Sequence, residues 1–110
     1  MKHLERELQK EVLIRLHAMG VQAWSHTVEV CTACGERPRR GTGLAFGAAD
    51  IIAIWRGRAI AIEMKRPGYS PSDVRPEQRA FLATVERAGG TAGVASSWKE
   101  VEAILARVPP

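Results

Sequence analysis

The stretch Gly47-Ala-Ala-Asp-Ile-Ile-Ala-Ile-Trp-Arg-Gly-Arg-Ala-Ile-Ala-Ile-Glu-Met-Lys65 decides how this chain folds. Ile51 to Trp55 is a short continuous apolar run, the pattern of a strand buried on both faces. Arg56-Gly57 is a tight reversal, because Gly57 can take positive φ, and Ala59 to Met64 returns as the partner strand. Charge is confined to the ends of this greasy hairpin. Asp50 stands at the entrance of the first strand, and Glu63 and Lys65 at the exit of the second. Side chains alternate along a strand, so Glu63 and Lys65 share one face roughly 6–7 Å apart, with Ile62 and Met64 on the other. Charges leaving water must be paired or bound to a metal. The hairpin can bring Asp50 across to Glu63, and two convergent carboxylates suit Mg²⁺ or Mn²⁺, which prefer hard oxygen ligands. Lys65 beside them would then face a phosphate or the attacking water. The spacing also allows a plain reading, in which Glu63 and Lys65 form a salt-bridged sheet edge and Asp50 caps the strand entry.

Outward from the hairpin, helical spacing is clear on both sides. Residues 3–19 place Leu4, Leu8, Val12, Leu16 and Met19 on one stripe, widened by Leu13 and Ile14, and Gly20 sits where the helix stops. Val21 to Val30 alternates and is β-prone, which predicts a half-exposed strand. After the hairpin, Ser72 or Asp73 is the expected cap of a second helix, with Pro76 in its first turn. That helix runs to about Arg87, buries Phe81, Leu82 and Val85, and ends at Gly89-Gly90. Thr91 to Ala95 reads as a short strand. Ser96 or Ser97 caps a last helix carrying Val101, Ile104, Leu105 and Val108, stopped by Pro109-Pro110. The order is αβββαβα: an α/β sandwich whose central mixed sheet is flanked by helices, as one domain over residues 1–110.

Composition sets the outer bounds. A chain of 110 residues with 45% hydrophobic and 25% charged residues is ordinary globular material, large enough for one core. Its net charge of +4 favours a polyanionic partner. The N-terminus is charged where a signal peptide would be apolar, and no run approaches the roughly 20 apolar residues of a membrane span. A cytoplasmic protein is expected.

The hairpin and its flanks resemble the PD-(D/E)XK nuclease superfamily, and more narrowly its VRR-NUC (virus-type replication-repair nuclease) family in the stand-alone form. The residues that carry the resemblance are Glu5 in Glu-Arg-Glu-Leu-Gln, Asp50 in Gly-Ala-Ala-Asp, Glu63 and Lys65 in Ile-Glu-Met-Lys, Gln78 in Pro-Glu-Gln-Arg, and the downstream Ala-Gly-Gly-Thr-Ala-Gly-Val-Ala. Ala49 replaces the proline that usually precedes the aspartate, which removes turn rigidity and no ligand. The resemblance implies a restriction-endonuclease-like fold and a bacterial or phage-encoded, metal-dependent DNA endonuclease. It implies Mg²⁺ or Mn²⁺ held by Asp50, Glu63 and the main-chain carbonyl of Met64, with Glu5 nearby. Gln78 would bond the active-site lysine or the phosphate. It further implies a homodimer acting on branched DNA, with four-way (Holliday) junctions the leading substrate. A flap or duplex endonuclease of restriction type, or a nucleic-acid-binding module that has lost its chemistry, would share the same pattern.

Cys31 to Gly47 is rich in Cys, Gly, Pro and Arg and reads as a long loop. Arg37, Arg39 and Arg40 there, and Tyr69 in Pro-Gly-Tyr-Ser-Pro, are candidate DNA contacts. Cys31-x-x-Cys34 is a single knuckle. With His26 it offers three zinc ligands where a structural site takes four, so plain loop thiols are the expectation. Trp24, Trp55 and Trp98 are expected as core or interface anchors, and the hairpin isoleucines as core.

Overall fold

A computed structural model describes residues 2–25 and 49–110, with side chains from Glu5 onward. Its elements are α1 (Lys2–Ala18), β1 (Gln22–Ser25), β2 (Ile51–Trp55), β3 (Arg58–Met64), a 3₁₀ turn (Pro71–Asp73), α2 (Pro76–Arg87), β4 (Thr91–Ala95) and α3 (Trp98–Leu105). The αβββαβα order read from the sequence is the order found. The four strands form one sheet in chain order, with β1, β2 and β3 antiparallel and β4 parallel to β3. The sheet is therefore mixed, because α2 carries the chain back before β4 begins.

The β2–β3 connection is a two-residue turn in which Arg56 (φ 55) and Gly57 (φ 74) both adopt positive φ. This is the turn whose twist matches the flanking strands. Holding a non-glycine residue there costs roughly 1–2 kcal/mol. The Arg56 guanidinium lies over the Trp55 ring, 4.0 Å from its centroid, and offsets part of that cost. The tight turn sets the register Ile51↔Ile62, Ala53↔Ile60, on which the candidate site depends.

Two cores follow from strand alternation. Ile51, Ala53, Ile60, Ile62 and Met64 face α1 and α3, where Val12, Leu16, Val101, Ile104 and Leu105 complete the larger core. α3 packs close to β4, since a Cβ on Gly93 would stand 2.8 Å from Ile104 Cδ1. On the other face Ala49, Ala61 and Ala92 pack with Leu82, Phe81 and Val85 of α2. Small side chains there let the helix approach the sheet.

Several expectations need correction. α2 is capped by Arg75, whose main-chain N–H donates to Gln78 Oε1 at 2.9 Å, and Ser70 and Asp73 instead pair around the 3₁₀ turn. Pro76 at the first helical position explains the shift, since it can start a helix but not continue one. Ile54 (52% exposed) is not core, because α2 covers the β3–β4 half of its face and Ile54 lies on the β1–β2 half; Trp24 (44%) lies on the same half, which removes the core alternative for it and leaves that of an interface anchor. Ile14 and Met19 are also exposed: α1 buries the narrower stripe of Val12 and Leu16, flanked by Leu8 and Leu13. α3 ends at Leu105, before the two prolines, although Val108 remains buried. β1 is described only through Ser25, and the remainder of the predicted strand to Val30 lies outside the described residues.

Candidate functional site

The hairpin register places Asp50 directly opposite Glu63, one step beyond the Ile51↔Ile62 pair. Opposed residues of an antiparallel pair project to the same face, so the two carboxyl groups converge. Asp50 Oδ2 accepts the Met64 main-chain N–H at 2.9 Å. A strand residue directs its N–H and C=O to the same side, so the Met64 carbonyl also faces Asp50. Across β3, the Lys65 N–H donates to Ala95 O at 2.9 Å and extends the β3–β4 pairing past Met64.

Glu63 is only 3% exposed. Its Oε2 accepts a 2.6 Å hydrogen bond from Gln78 Nε2 and pairs with Lys65 Nζ at 3.4 Å. Gln78 Oε1 in turn accepts from the Arg75 N–H at 2.9 Å and from Lys65 Nζ at 3.4 Å. One buried amide therefore caps α2, orients Glu63 and braces the lysine. Glu63 Oε1 is buried and has no hydrogen-bond partner among the described residues. Such an atom is costly unless something electropositive meets it.

The electrostatics agree. Burial, then the negative charge of Asp50, pushes the Glu63 carboxyl up to about 7, with Lys65 acting the other way. Asp50 is also raised, chiefly by burial, against the opposing pull of the Met64 N–H and Lys65. Two facing carboxyls of this kind do not both ionise readily without a cation between them. The donor set, two carboxylates and a main-chain carbonyl with one buried oxygen unsatisfied among the described residues, fits a hard divalent cation such as Mg²⁺ or Mn²⁺.

The structure thus brings Asp50, Glu63, Met64, Lys65 and Gln78 together. Glu5 is half-buried on α1 and stands at longer range, where its charge adds a small upward push on Asp50. Among the described residues no three Asp, Glu, His or Cys side chains gather closely enough to share one ion. Tyr69 is half-buried in the turn after β3, its N–H donating to Arg66 O at 3.2 Å. His26, Cys31, Cys34, Arg37, Arg39 and Arg40 lie outside the described residues. Sequence reasoning missed Gln9, whose side-chain amide reaches both Ser25 and Asp50. Its signal was the one-turn spacing from Glu5, which puts the two on one stripe of α1.

The layers and strand order define an α/β sandwich of restriction-endonuclease-like topology. The chain is similar to a solved structure described as a VRR_NUC domain, with a TM-score of 0.66 and 21% identity, over 96% of this chain and 98% of that one. At that identity the likeness establishes the fold. No family model and no curated protein matches the chain. No described helix is long and apolar enough to cross a membrane.

Proposed function

We propose that this chain is a Mg²⁺- or Mn²⁺-dependent endodeoxyribonuclease that acts as a homodimer on branched DNA, four-way junctions first among its substrates. The observation that carries the reading is the convergence of Asp50 and Glu63 around a buried carboxylate oxygen that has no partner among the described residues, with an ammonium at its side. Asp50, Glu63 and the Met64 carbonyl would hold the cation. When bound, it supplies charge neutralisation at the scissile phosphate and a more acidic water. The protein's own contribution is placement. Gln78 occupies Glu63 Oε2, so Oε1 is the oxygen that would be left to serve as a ligand. Lys65, 14% exposed and held by Glu63 and Gln78, offers a positive charge where negative charge builds on the phosphate. The net charge of +4 favours approach to DNA. The dimer and the junction preference rest on the VRR-NUC resemblance and on geometry alone, since a two-fold pair of sites suits two opposed strands.

The test is cleavage of labelled duplex, flap and four-way substrates in Mg²⁺ and Mn²⁺, alongside Asp50→Ala. Metal-dependent cutting strongest on the junction and absent from the variant is expected. Binding without cutting would make the chain an inactive DNA-binding module, preference for duplex or flap would move the substrate, and cleavage persisting in Asp50→Ala would remove the site.

A further inference from the structure

Helix α1 packs on the sheet face opposite α2, and Val12 and Leu16 account for its attachment by apolar contact. The same helix also sends a polar group to the candidate site. Gln9 Nε2 donates to Ser25 Oγ at 2.8 Å and to the main-chain carbonyl of Asp50 at 3.3 Å. Ser25 is the last residue of β1, and its pairing with Ile51 is the outermost described rung of the β1–β2 ladder. Asp50 stands one residue beyond that rung. Both hydrogens of one amide are therefore committed where the described ladder ends, next to the residue whose carboxyl meets Glu63.

We propose that Gln9 is a positioning residue for Asp50. It holds the Asp50 main chain, and so keeps Asp50 Oδ2 on the Met64 N–H and the carboxyl turned to Glu63. A neutral donor suits this task. An ammonium in its place would neutralise the carboxylate pair, and a carboxylate would add to its repulsion and donate nothing. The consequence for cation binding rests on the nuclease reading; the hold on Asp50 does not. Groups that orient metal ligands typically change affinity by about 10–100-fold when removed.

The experiment compares Gln9→Met, which keeps the side-chain volume without the donor, with Ser25→Ala, which removes only the other arm. Amide hydrogen exchange of the metal-free protein is read first. The Met64 amide, bonded to Asp50, is expected to exchange about tenfold faster or more in Gln9→Met and to stay near the parent rate in Ser25→Ala. The Lys65 amide is bonded to Ala95 across the other edge of β3, and is the internal control. Mn²⁺ affinity by titration calorimetry is expected to fall about 10–100-fold in Gln9→Met. An unchanged Met64 amide overturns the proposal. So does equal acceleration of Met64 and Lys65, which would mean that Gln9 merely stabilises the fold. A parent protein that neither binds Mn²⁺ nor cuts DNA removes the nuclease reading, while the exchange data still decide whether Gln9 holds Asp50.

Discussion

Replacing Glu63 with Gln should abolish cleavage and yet stabilise the metal-free protein above neutral pH. The Glu63 carboxyl titrates near 4.5 when unfolded and about 7 when folded. The folded state therefore binds its proton more tightly, and this group's contribution is fully present below about pH 4.5 and lost as pH rises through about 7. At about 1.4 kcal/mol per pKa unit, the loss cannot exceed about 3.5 kcal/mol, and part of it belongs to the facing Asp50. Glutamine imitates the protonated form. Its carbonyl can still accept from Gln78 Nε2, and its amide turns a donor to Asp50 where the parent turns a second charge. Against this stands the loss of the Lys65 ion pair at 3.4 Å. The net gain at pH 8 should be about 1–2 kcal/mol, a rise in melting temperature of about 4 °C or more. The assay is thermal unfolding in a chelator at pH 5 and pH 8. A variant less stable than the parent at pH 8, or equally stabilised at both pH values, would refute the reasoning, because neither result is compatible with a strained carboxylate pair.

Three further outcomes follow from the same geometry. Mg²⁺ or Mn²⁺ should stabilise the parent by about 2.7 kcal/mol at a hundredfold excess over the dissociation constant, should raise its melting temperature more at pH 8 than at pH 5, and should do neither in Asp50→Ala; thermal scans with and without metal check this. Gln78→Leu leaves the Arg75 N–H uncapped and Glu63 Oε2 without its amide donor, and should cost about 2 kcal/mol in urea unfolding. Gly90→Ala would set its Cβ 2.7 Å from both Ala59 O and Val85 Cγ1, so it should destabilise by about 2 kcal/mol or more, far from the candidate site and with cleavage intact below the melting transition.

The sequence by itself determined the order of elements and the heart of the candidate site. A two-residue turn at Arg56-Gly57 leaves one sensible hairpin register, and that register alone sets Asp50 against Glu63 with Lys65 on the same face. Short-range geometry of this kind depends on residues a few positions apart, so it can be read along the chain. The roles of Gln78 and Gln9 could not be read in this way. Gln78 showed as a motif position facing lysine or phosphate; the structure puts Lys65 Nζ on its Oε1 and adds two contacts that spacing does not show, from its Nε2 to Glu63 and from the Arg75 N–H to its Oε1. Gln9 showed nothing beyond its spacing from Glu5, because its partners Ser25 and Asp50 are 16 and 41 residues away. The exposure of Ile54 and Trp24 was hidden for the same reason. Apolar strand residues are buried only where another layer lies over them, and α2 covers β3 and β4 but leaves the β1–β2 half open. Tertiary structure alone decides which side of a sheet is covered and which distant amide satisfies a buried oxygen, since both depend on how helices dock.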